Sequence, residues 1–104
     1  MISALEKLLG TPRDGALLRY SLGLEYAKVG ERERAIEHFR EAVARDPLYS
    51  AAWKALGKLL VEADRKQEAL EAFRFGIVAA AKRGDKQAGK EMAVFARRLE
   101  KSGG

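Results

Sequence analysis

Sliding the chain along itself by 34 residues superposes Leu22 on Leu56, Gly23 on Gly57, Ala35 on Ala69 and Phe39 on Phe73. The helix breakers Gly30 and Asp64 fall together in the same register. Self-similarity at a fixed period means one supersecondary unit made twice. Such a unit cannot bury its apolar face alone and needs a neighbour. Each matched position has a physical task. Glycine inside a helix costs about 1 kcal/mol against alanine, so Gly23 and Gly57 imply close approach of the paired helix, with Ala35 and Ala69 as the small opposing surface. Phe39 and Phe73 lie one turn further on, beneath each hairpin, where burying an aromatic contributes roughly 2–3 kcal/mol.

Nearly everything else reads as helix. Residues 2–10 form a short amphipathic segment with Leu5, Leu8 and Leu9 on one side. Thr11, Pro12 and Asp14 predict the start of a second helix, since threonine caps, proline tolerates the first turn and aspartate favours exposed amides. That helix runs to about Val29 and ends at Gly30, with Leu18, Leu22, Tyr26 and Val29 at three- and four-residue spacing. A third, over 32–45, stops before Asp46-Pro47. A fourth spans 49–63 with Trp53, Leu56 and Leu60. A fifth spans 66–82 with Leu70, Phe73 and Ile77, and a last runs from the break at Gly84-Asp85 to about Lys101. Strand-like alternation persists nowhere. The expected organisation is one domain over 1–104: an N-terminal helix and linker (1–15), repeat one (16–49), repeat two (50–83) and a capping helix (84–101).

With 47% hydrophobic and 34% charged residues, the composition belongs to a folding, soluble chain. The absence of cysteine excludes disulfides, thiolate metal sites and cysteine nucleophiles, and agrees with a reducing, cytoplasmic setting. The start of the chain lacks a signal-peptide pattern. No apolar run approaches the roughly 18 residues of a membrane span.

The first unit contains Leu22, Gly23 and Tyr26, then Ala35, Phe39, Ala42 and Pro47; the second contains Trp53, Leu56, Gly57, Leu60, Ala69 and Phe73. In these residues and in its period the chain resembles the tetratricopeptide repeat family. Arg19 stands where the second unit has Trp53, Gly76 stands for the alanine matching Ala42, and Ala81 stands for the terminal proline, so the fifth helix is expected to run long. The resemblance implies an all-α fold of helical hairpin repeats, a fragment of an α–α superhelix with a short N-terminal helix and a solvating C-terminal helix. It also implies a protein-interaction adaptor whose first helices line a concave groove for a peptide or helix of a partner. Carried over by position, the groove residues are Leu17, Tyr20, Leu24 and Lys28 in the first unit, and Lys54, Lys58 and Glu62 in the second. Lys54 and Lys58, one turn apart, suit a partner with an acidic segment. The alternative is a structural element acting through homo-oligomerisation or fixed membership of a larger complex, with Leu5, Leu8 and Leu9 as an end cap or a self-association surface.

The formal charge of +5 is concentrated in the last residues, where Lys82, Arg83, Lys86, Lys90, Arg97, Arg98 and Lys101 face Asp85, Glu91 and Glu100. Phe95, the aromatic within this stretch, is assigned inward with Met92 and Leu99, so no aromatic interleaves the basic patch on its outward face and nucleic acid is not the expected partner. His38 is the sole histidine, with Glu37 and Glu41 nearby but no second histidine or cysteine to complete a metal site. The carboxylates alternate with arginines in the pattern of a solvated face. No phosphate loop or serine-nucleophile context occurs. An enzyme, a cofactor and a metal are not expected. Trp53 is assigned to the core, and Phe75 falls between the packing positions of its helix.

Overall fold

The computed structural model describes residues 1–102 and contains α1 (Ile2–Glu6), α2 (Ala16–Lys28), α3 (Arg32–Arg45), α4 (Ser50–Glu62), α5 (Lys66–Arg83) and α6 (Lys86–Ser102). No strand occurs among the described residues. None of their helices is long and apolar enough to cross a membrane. Two compact units emerge, Met1–Pro47 and the chain from Leu48 onward, so the division falls two residues before the border expected between the repeats.

In the first unit α2 and α3 pair as a hairpin around Leu22, Ala35, Ile36, Phe39 and Ala42, all essentially removed from solvent. A Cβ on Gly23 would lie 2.5 Å from the Phe39 ring. The space opened by the glycine is therefore filled by the aromatic ring one turn beyond Ala35. The alanine, expected opposite the glycine from the sequence, lies one helical turn from that ring. The second unit repeats the device, with a Cβ on Gly57 falling 2.4 Å from Phe73.

The hairpin ends also repeat. Gly30 takes φ +79° and its N–H donates to Ala27 O (3.2 Å), while the Glu31 N–H donates to Tyr26 O (3.0 Å). Asp64 takes φ +59° with the same pair of bonds, to Val61 O and Leu60 O. Gly84 takes φ +73° and closes α5 in the same way through Ala81 O and Ala80 O. A left-handed residue satisfies carbonyls that the helix end would leave unpaired. Asp64 holds that conformation in a side chain that tolerates it better than most.

Helix α2 does not start at the Thr11-Pro12 signal. It begins at Ala16, and α1 stops at Glu6. Residues between them form a chain of turns: the Thr11 hydroxyl donates to Leu8 O, the Arg13 N–H to Thr11 Oγ1 (3.2 Å), and the Gly10 N–H to Asp14 Oδ2 (3.0 Å). Asp14, 7% exposed, is the anchor of this linker, with Arg19 Nε at 2.9 Å and Arg45 Nη2 at 3.6 Å. The Arg19 hydrogen bond, followed by that of the Gly10 amide, holds its carboxyl well below the ordinary 3.8. A lowered folded-state pKa stabilises the fold above the unfolded value and ceases to as pH falls through the folded one. Asp14→Asn is therefore expected to unfold at lower urea than wild type near neutrality, with the gap shrinking steadily as pH drops beneath 3.8. Urea midpoints across that range check this, and a gap independent of pH contradicts it.

The second unit packs α5 between α4 and α6. Helix α5 has 18 residues against 14 in α3, as expected from the loss of the terminal proline. Gly76 lets three elements meet, since a Cβ there would lie 2.4 Å from Met92 Sδ and 2.8 Å from Trp53 Cβ. Met92 is fully buried and Phe95 sets its ring 5.3 Å from that of Phe73, so α6 covers the open side of this unit as a cap. Asp85 starts α6 by accepting the Ala88 N–H (3.2 Å) and the hydroxyl of buried Ser50 (2.9 Å). Both bonds push its carboxyl pKa down. Ser50 thus opens α4 without capping it.

Candidate functional site

On α2 the residues expected to line a groove share one face at three- and four-residue spacing. Leu17 is 69% exposed and Leu24 37%, whereas Leu18 and Leu22 on the same helix are buried. Tyr20 is half-buried with its ring 5.9 Å from Phe39, so it presents an edge of the core more than a free aromatic. Lys28 is exposed and pairs with Glu25 at 3.0 Å. Beside Leu24 lies a shallow depression of about 270 Å³ whose lining includes Met1, Leu5 and Ser21, because α1 packs along α2. The Tyr26 hydroxyl donates to Glu6 and ties the two helices together. Leu5, Leu8 and Leu9 are half-buried there.

On α4 the two lysines turn toward α6. Lys54 Nζ lies 3.3 Å from Glu91 Oε1, so the carboxylate it holds is the chain's own. Lys58 is exposed and sets Nζ 5.8 Å from the centre of the Phe95 ring, a cation–π contact that leaves the ammonium open to solvent. Glu62 is exposed. Val61, absent from the residues expected to line the groove, is an exposed apolar residue of the same helix. Its place one turn beyond Lys58 was the available signal.

Trp53 is half-buried, not a core residue, and stacks on Phe75 with ring centres 5.3 Å apart. Phe75 remains 55% exposed. His38 stacks almost parallel on Tyr26 at 5.4 Å, and its Nδ1 is buried without a hydrogen-bond partner. Burial, followed by the nearby Arg19 charge, lowers its pKa from 6.5 and keeps the ring neutral near pH 7. No group of three His, Cys, Asp or Glu able to hold a metal occurs among the described residues. The basic residues Lys82, Arg83, Lys86, Lys90, Arg97 and Arg98 are all exposed.

The hairpins with a ring seated on a helix glycine, repeated at the same spacing, coincide with a family-level match. The profile described as Tetratricopeptide repeat covers residues 20–82. The chain belongs to the tetratricopeptide repeat family. A tetratricopeptide repeat-containing protein of Pseudomonas aeruginosa is 48% identical over 102 residues, which span 98% of this chain and 97% of that protein. The solution structure of a Bordetella parapertussis protein is 41% identical, with a TM-score of 0.80 over 98% of this chain and 89% of that one. The TPR2B domain of yeast Sti1, solved as a complex with pHsp70, shares the fold at a TM-score of 0.86, covering 97% of this chain and 81% of that one. At 15% identity that likeness concerns the fold alone. This tetratricopeptide repeat chain thus has relatives matched over nearly their whole length.

Proposed function

We propose that this protein is an interaction module that holds a segment of a partner protein on the exposed faces of its first helices. Leu17, Tyr20, Leu24 and Lys28 form the face on α2, and Lys58, Val61 and Glu62 the face on α4. The observation that carries this reading is the exposure of Leu17 and Leu24 on a helix whose other leucines are buried. Covering apolar side chains that a repeat hairpin leaves in water is favourable. The complex of the Sti1 domain with pHsp70 is the precedent for such a fold receiving a partner. Because Glu91 already neutralises Lys54, the α4 face offers Lys58 to an acidic residue, while the α2 face takes apolar side chains.

Selection of displayed random peptides on the purified protein tests this. Selected peptides are expected to carry apolar residues where they meet α2 and an Asp or Glu where they meet α4. They should bind Leu24→Asp at least about tenfold more weakly, the loss of roughly 1.4 kcal/mol of contact energy. Lys58→Glu should weaken acidic peptides selectively. Peptides indifferent to both substitutions would remove the assignment. A concentration-dependent dimer in light scattering, dissolved by Leu5→Asp or Leu17→Asp, would replace it with self-association through the same apolar surface.

A further inference from the structure

We propose that the outer face of α6 is a second docking surface, fitted to an acidic helical segment of a partner protein that carries one bulky apolar anchor. Lys86, Lys90, Arg97 and Lys101 fall within an arc of about 60° on a helix of 3.6 residues per turn and extend over about 22 Å of its length. Arg98 and Val94 flank that arc, and Val94 is 39% exposed. These five cations have no ion pair among the described residues.

The acids of the same segment are all engaged within the chain. Asp85 is held by the Ser50 hydroxyl and the Ala88 amide, Glu91 by Lys54, and Glu100 by Arg74 at 2.8 Å. A merely solvated face mixes signs, as α3 does with Glu41 and Arg45 paired at 3.0 Å. On α6 the arc itself holds cations only, and the acids at its borders, Glu91 and Glu100, are paired within the chain. Lys86 also stands in the first turn, where the helix dipole disfavours cations and the one nearby acid, Asp85, is engaged in capping.

Next to these cations lies a mostly apolar recess of about 400 Å³ between the end of α5 and the start of α6, lined by Ile77, Ala80, Ala81, Gly84 and Gly89, with Lys86 and Lys90 at its rim and Asp85, whose carboxylate is bound by Ser50 and Ala88, beside them. An apolar side chain flanked by carboxylates satisfies the recess and the rim together, and carboxylates further along the same helix meet Arg97 and Lys101. Nucleic acid fits less well. Phe95, the aromatic of α6, is turned toward Phe73 and Lys58, which leaves no ring for base stacking. A bilayer fits less well too, because Val94 is the one large exposed apolar side chain on α6 available for insertion.

The probe is a fluorescent alanine-based helix of about 20 residues, long enough to be helical in water. It carries a leucine anchor and glutamates at the spacing of the four cations. The intact protein should bind it at low salt and release it near 1 M salt, where screening shortens to about 3 Å. Lys90→Glu/Arg97→Glu and, separately, Ala81→Glu at the recess should each weaken binding about tenfold or more. All three positions are exposed, and circular dichroism confirms that the variants fold. Leu24→Asp should bind the probe normally, which separates this surface from the one proposed above. The inference is overturned if the probe does not bind, if its glutamine version binds as well, or if the charge-reversed variant is unchanged. Tighter binding of oligouridylate or of phosphatidylserine vesicles than of the peptide would likewise overturn it.

Discussion

Phe73→Ala is expected to destabilise the protein by about 3–5 kcal/mol, the range for truncating a fully buried phenylalanine. A chain of this size has only about 5–15 kcal/mol in total, so the variant should be largely unfolded on modest heating. The side chain has no exposure, fills the space left by Gly57 and packs its ring at a tilt against Phe95. A more discriminating result comes from Gly57→Ala. In the wild-type background the new methyl meets a ring that cannot move aside, and overpacking costs about 1–3 kcal/mol against a gain of about 1 kcal/mol in helix propensity. In the Phe73→Ala background the clash is gone, the propensity gain remains and the methyl fills part of the cavity, so the same substitution should stabilise. Urea denaturation of the four proteins measures this reversal of sign. If Gly57→Ala has the same effect in both backgrounds, the glycine is not there for the ring.

Ending the chain after Gly84 should have an effect at least as large. Removing α6 uncovers the surface against which Met92 is fully buried and Ala88 and Ala96 nearly so, and it strips Phe95 from Phe73. At about 1.5–3 kcal/mol for each large buried side chain, the loss is on the order of 5 kcal/mol. It also leaves Gly76 facing solvent without the Met92 side chain that occupies its hollow. The shortened protein should lose the cooperative melt of its second unit and bind a hydrophobic dye. Replacing Met92 with alanine should show a milder form of the same change. A truncated chain with the melting profile of the full one would mean that α6 is an appendage, not a cap. The docking surface proposed for its outer face would then lack a rigid base.

Helix positions, the period and the capping role of the last segment are legible in the sequence because they are written in local spacing. Apolar residues at three- and four-residue intervals specify one face of a helix whatever surrounds it. The start of α2 was misread because Thr11, Pro12 and Asp14 suit either a helix cap or a chain of turns, and distant Arg45 joins Arg19 in selecting the turns. The candidate site was legible only as a set of positions. Leu17 and Leu24 are exposed where the spacing put them, whereas Lys54 is neutralised by a residue 37 positions away, and Val61 went unnoticed.

From the chain alone follow the identity of the folding unit, its repetition and the places where it must break, since each depends on neighbours within one or two helical turns. Which atom fills the hollow of a glycine, which acid neutralises which lysine, and which cations are left facing water were decided by packing. Those outcomes join residues tens of positions apart, and burial and charge pairing exist only once the helices lie against one another.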